Sequence, residues 1–156
     1  MRITSHIDKF RRFDAVKRRL DPEADTELWI WSAMNACTNL LNAALHHCGL
    51  TEEVDSFHTQ IEGLYAVPDR DDGTLTDSQH PPGDIMHVDQ PAIPLPWPPA
   101  IERACAALIT IEDLRKPYVR GNEPIKREAI TRCELSYFEC VEQLSGVLEA
   151  LTKGKE

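Results

Sequence analysis

A chain of 156 residues has the length of one domain and can bury roughly two-thirds of its unfolded surface in a single core. Its net charge of −9 is unevenly spread: residues 1–20 hold seven basic and two acidic side chains, residues 21–100 one and fourteen, residues 101–156 nine and ten. The acidic middle repels a phosphate backbone, so nucleic acid is not an expected partner. No run approaches the roughly 18 to 20 apolar residues of a membrane span, and the opening MRITSHIDKF has neither an h-region nor a cleavage site, which points to a cytoplasmic protein.

Cys37, Cys48, Cys105, Cys133 and Cys140 form an odd set without a C-x-x-C pair and fall mostly at apolar positions. They read as small core residues in a reducing compartment.

The first helix is predicted from Ser5, which stands in capping-box spacing with Asp8, through Ile7, Phe10, Phe13 or Val16, and Leu20 to the break at Asp21 and Pro22. Asp21 as N-cap and Pro22 as first helical residue then open a second helix that meets no breaker until Gly49. Gly49 and Leu50 read as a left-handed cap with its apolar contact.

Residues 50–97 form a long proline-rich, acidic crossover loop, with eight of the eleven prolines between Pro68 and Pro99. Within it we expect a short helix near 51–57 and a hairpin turning at Asp71, Asp72 and Gly73. Leu64, Tyr65, Val67, Ile85, Met86, Val88 and Trp97 suit a crossover docked on the helices, and Pro91 to Pro99 reads as a stiff strap.

A third helix is predicted over 98–116, burying Ile101, Cys105, Leu108, Ile111 or Ile109, and Leu114, and closed by Pro117. A connector over 118–123 leads to a fourth helix that starts around 122–124. It buries Ile130, Cys133, Tyr137, Cys140 or Val141, Leu144, Val147 or Leu148, and Leu151 and turns Arg127, Arg132, Glu139, Glu142 and Glu149 to solvent. The fold class is all-α: a single domain over 1–156, built as a four-helix bundle.

Asn35, Asn39, Asn42 and His46 fall within about 60° of arc on helix 2, bordered by Trp31. Between Trp29 and Gly49 this helix has no formally charged residue, whereas a solvated face is normally built from Glu, Lys and Arg. Such a stripe commonly faces water or bridges to another helix; the lack of charge favours instead burial in the bundle, a subunit interface, or a place under the crossover.

His46, His47, His58, His80 and His87 show no metal-ligand spacing, His6 stands alone, and no phosphate loop or nucleophile elbow occurs. No metal, cofactor or catalytic residue is expected on these grounds.

Tyr118, Val119, Arg120, Gly121 and Asn122 precede the last helix, and here the chain resembles the HEPN group of helical domains, which includes RNases and noncatalytic binding members. In catalytic members the Arg is followed after four to six residues by a His. Ile125, Lys126 and Arg127 stand there instead, so the resemblance implies a noncatalytic member in which Arg120 contacts an anion.

The leading expectation is a noncatalytic binding or protein-interaction module, a homodimer, holding a protein partner or small ligand through Trp31, Asn35, Asn39, Asn42, His46 and Arg120. The alternative is a hydrolase-like enzyme with its pocket between helix 2 and the crossover, His46 or His47 as base, Arg120 as anion clamp, and Asp84 or His87 delivered by the loop.

Overall fold

A computed structural model describes the chain except residues 55–56, 60, 62–63, 70, 80–82, 86–95, 122, 147–148 and 150–156. The described protein is mainly helical: α1 (Ile3–Lys17), α2 (Thr26–His47), α3 (Pro99–Asp113) and α4 (Arg127–Gln143), with a π-helical turn at Lys116–Arg120. Strands β1 (Phe57–His58), β2 (Tyr65–Pro68) and β3 (Leu75–Ser78) form a small antiparallel sheet in that order. Among the described residues, no helix is long and apolar enough to cross a membrane.

α2 is the central helix and packs against α1, α3 and α4. The lack of charge between Trp29 and Gly49 follows from this position, because most of that stretch is apposed to other helices. Ile30, Ala33, Ala36, Cys37, Leu40, Leu41, Ala43 and Ala44 are all fully buried. Cys37, Cys105, Cys133 and Cys140 are buried free thiols, whereas Cys48 is exposed.

Helix ends differ from the sequence expectation where tertiary bonds replace local ones. α1 starts at Ile3 rather than Ser5, since its first free amide, Ile3 N, donates to Glu53 Oε2 at 2.8 Å from the crossover. The helix stops at Lys17, short of Asp21. Asp21 Oδ1 does accept from the amides of Glu23 and Ala24, both at 2.9 Å, but it caps a separate turn, and α2 begins only at Thr26. The helix expected near 51–57 is replaced by bends through 54 and strand β1: Glu53 is engaged in capping α1, and Phe57 and His58 pair with Ala66 and Tyr65.

Gly49 takes φ of 69° as the left-handed residue after α2, and the amides of Leu50 and Thr51 turn back to the carbonyl of Leu45. The β2–β3 hairpin turns where expected, with Gly73 at φ 72°. α3 opens with Pro99 at its first turn and buries Ile101, Cys105, Leu108, Ile111 and Leu114, leaving Ile109 exposed.

α3 ends at Asp113, three residues before the expected limit, and the chain winds through Pro117 as a π turn rather than an irregular connector. Pro117 has no N–H for an α ladder, and the amides of Gly121 and Glu123 close on the carbonyls of Lys116 and Pro117. α4 begins at Arg127, later than expected, and buries Cys133, Tyr137 and Cys140, with Leu144 just beyond; Leu151 lies outside the described residues. Lys17 fastens this side of the molecule: its ammonium lies 4.8 Å from the Trp29 ring centroid and 4.6 Å from that of Tyr137.

Candidate metal centre

The polar stripe of α2 leads to one buried junction. Asn42, nearly fully buried, binds the backbone of Ile85 in both directions: its Nδ2 donates to the carbonyl and its Oδ1 accepts from the amide, each at 2.8 Å. This copies a strand pairing with a side chain, and the Ile85 side chain joins the core. The preceding residue, Asp84, is thereby held over the C-terminal half of α2.

His46 Nε2 lies 3.0 Å from Asp84 Oδ1, and His6 Nε2, from α1, lies 3.0 Å from the same oxygen. The two imidazole centroids are 5.4 Å apart. The His6 and His46 side chains are 2% and 0% exposed, against 26% for Asp84, so the centre meets solvent mainly on the carboxylate side. The Met1 amine also reaches Asp84 Oδ1, at 2.8 Å.

Each ring is gripped from behind. Asn39 Nδ2 donates to the Asn35 carbonyl at 2.8 Å, which fixes the amide so that Oδ1 faces His6 Nδ1 at 3.0 Å. An amide oxygen only accepts, so His6 Nδ1 donates to Asn39 and the opposite ring nitrogen, Nε2, faces Asp84. On the other ring, His46 Nδ1 lies 2.7 Å from Thr51 Oγ1, a hydroxyl delivered by the Gly49 turn.

Burial alone pushes the Asp84 carboxyl upward, but the bonds to His46, His6 and the Met1 amine outweigh it and hold the group well below the usual carboxylate range. The centre is thus an anionic oxygen facing two ring nitrogens. Among the described residues, His6, His46 and Asp84 are the group of side chains whose ligand atoms cluster tightly enough to hold a metal, all within 4.8 Å of one another. Ligands about 2.1 Å from a common ion are about 3.0 Å apart in octahedral and about 3.4 Å apart in tetrahedral geometry, so the 3.0 Å from each nitrogen to the oxygen needs little or no opening to admit an ion.

Of the residues singled out from sequence, Asn39, Asn42 and His46 meet here, and Asp84 is delivered by the crossover. Asn35 supports Asn39 and, with Lys9, Arg12, Phe13 and Val16, lines a groove of about 330 Å³ between α1 and α2. Trp31 is exposed and gives only its carbonyl, to Asn35 Nδ2. Arg120 is exposed beside Gly121, which shares a surface depression with residues 23–27 at the start of α2, about 30 Å of helix away from His46. It does not join this centre. His47 is exposed; His80, His87 and Asn122, like the His58 side chain, lie outside the described residues.

Sequence pattern does not single out His6 and Thr51, because the side chains that converge here come from separated segments and leave no linear spacing. The available signal was that His6 precedes Ile7 and Phe10 on the buried face of α1. Comparison with protein-family models, curated proteins and solved structures finds no match.

Proposed function

We propose that this protein is a noncatalytic metal-binding helical module, in which one divalent first-row transition ion joins α1, α2 and the crossover through His6, His46 and Asp84. The carrying observation is that two imidazole Nε2 atoms converge on one carboxylate oxygen, at 3.0 Å each, with both Nδ1 atoms held by side chains behind them. Imidazole and carboxylate suit Zn²⁺, Fe²⁺ or Co²⁺, and such backing bonds orient each ring with its Nε2 toward the carboxylate. The proposed setting is a four-helix bundle closed by the proline-rich crossover and acting as a homodimer. Kinship with noncatalytic HEPN-type domains is part of the proposal, supported by the helix layout and the Tyr118 to Gly121 segment.

Metal binding is tested by titrating metal-free protein with Zn²⁺ and Co²⁺ at neutral pH, following heat and the Co²⁺ absorption bands. One ion per chain is expected, with affinity reduced about 100-fold or more in His6→Ala, His46→Ala and Asp84→Asn. Absence of binding, or binding indifferent to all three substitutions, overturns the reading.

A further inference from the structure

The groove between α1 and α2 brings three kinds of chemistry together. Its volume of about 330 Å³ is at the small end of the roughly 300–1,000 Å³ of ligand pockets. α1 supplies two cations, Lys9 and Arg12, and an apolar wall of Phe13 and Val16; α2 supplies the amides of Asn35 and Asn39. Each set shares one face of its helix, because its members stand three or four residues apart.

The polar groups here are donors with capacity to spare. Asn35 Nδ2 donates to the Trp31 carbonyl and Asn39 Nδ2 to the Asn35 carbonyl, each at 2.8 Å. Each amide thus spends one N–H on its own helix and keeps a second. Arg12 bonds only through Nε, to the Asp8 carbonyl at a long 3.4 Å, and Lys9 has no partner among the described residues.

No carboxylate lines the groove to offset them. Asp8, next to Lys9 in sequence, is 67% exposed and turned to Arg11 at 3.7 Å. Asp14 accepts from Arg18 and from Tyr137 on the side of α1 that faces α4. α2 brings no charge of its own between Trp29 and Gly49. A local surplus of donors and positive charge therefore persists in a chain whose net charge is −9.

We propose that this groove binds a small organic anion, a carboxylate or phosphate ester carried on an apolar body. The acid group accepts from Lys9, Arg12 and the remaining amide N–H groups, and the body lies against Phe13 and Val16. Both parts are needed, since exposed cations alone hold an ion weakly in water and the apolar wall is small. The volume suits one ring or a short acyl chain, and the acidic charge of residues 21–100 turns away a polyanion. None of the proposed metal ligands lines the groove, so the site stands whether or not an ion is held by His6, His46 and Asp84.

Nuclear magnetic resonance titration of the isotope-labelled, metal-free full chain with phenyl phosphate and with benzoate tests it. Saturable shifts are expected at the side-chain amides of Asn35 and Asn39 and along the backbone from Lys9 to Val16. Half-saturation should fall at about 1 mM or below, as for ligands of this size. The tighter of the two probes identifies the acid group. Inorganic phosphate and benzyl alcohol each carry half of the recognised chemistry and should bind about fivefold or more weakly. Lys9→Met and Arg12→Met keep the stem and remove the charge, and each should weaken phenyl phosphate or benzoate by about fivefold or more. Arg18→Met removes the same charge from another face of α1 and should leave the affinity unchanged. Absence of saturable binding by either probe overturns the inference. So does inorganic phosphate binding as tightly as phenyl phosphate, or an affinity that falls as far in Arg18→Met as in Lys9→Met and Arg12→Met.

Discussion

Asn42 and Ile85 exchange two hydrogen bonds of 2.8 Å, so a single side chain in the C-terminal half of α2 holds the crossover at the residue next to Asp84. Asn42→Ala should leave the amide and carbonyl of Ile85 without these partners, each otherwise costing about 1–3 kcal/mol when buried. The expected result is a loss of about 2 kcal/mol or more in urea unfolding. Metal affinity should fall with it, because Asp84 loses its anchor although no ligand has been removed.

The groups behind the imidazoles give a finer test. Asn39→Ala and Thr51→Val leave all three proposed ligands in place and remove what orients the rings. Each should lower metal affinity by about 10- to 100-fold with one ion still bound per chain. Asn39→Asp keeps an oxygen acceptor for His6 Nδ1 and should retain more affinity than Asn39→Ala. Calorimetric titration distinguishes these outcomes, and an Asn39→Ala affinity equal to that of the wild type would remove Asn39 from the centre.

Much of the helical framework could be read from sequence because it rests on local pattern. Ile101, Cys105, Leu108 and Ile111 repeat at helical spacing, and Gly49 and Gly73 stand where left-handed backbone is required. The same locality explains the errors at helix ends: the capping of Ile3 by Glu53 spans 50 residues, and no pattern around Ser5 could reveal it. The centre divides in the same way. Asn39, Asn42 and His46 were legible as uncharged polar residues on an otherwise apolar helix, whereas His6 and Asp84 are 78 residues apart and acquire meaning only when α1 and the crossover close on α2.

Gly121 tests the π turn before α4. Its φ of −92° is open to any residue, so backbone strain is not the issue. A Cβ there would stand 2.6 Å from the Pro117 carbonyl oxygen and 3.1 Å from that of Lys116, and both are backbone atoms that cannot swing aside. Gly121→Ala should therefore destabilise by about 1–3 kcal/mol, as overpacked sites do, lowering the melting temperature by several degrees. The metal centre, at the other end of α2, should retain its affinity for Zn²⁺ in the folded protein.

Alkaline stability follows from the buried face of α4. Burial first, and then the 2.7 Å hydrogen bond to Asp14, raise the Tyr137 phenol well above its ordinary value. Burial likewise pushes the Cys133 and Cys105 thiols up to about 12 and raises Cys37. These acids keep their protons in the fold when the unfolded chain has begun to lose them. Their contribution is complete below the unfolded values, near 8.5 for thiols and 10 for phenols, and is lost as pH rises toward the folded ones. Urea unfolding should thus show stability falling from about pH 8.5 and more steeply above about pH 10. Tyr137→Phe should start less stable at neutral pH, having lost its bond to Asp14, and should show a shallower decline above pH 10, since one fewer proton distinguishes the folded and unfolded states. Parallel declines in the two proteins would mean that the Tyr137 phenol ionises alike in both states.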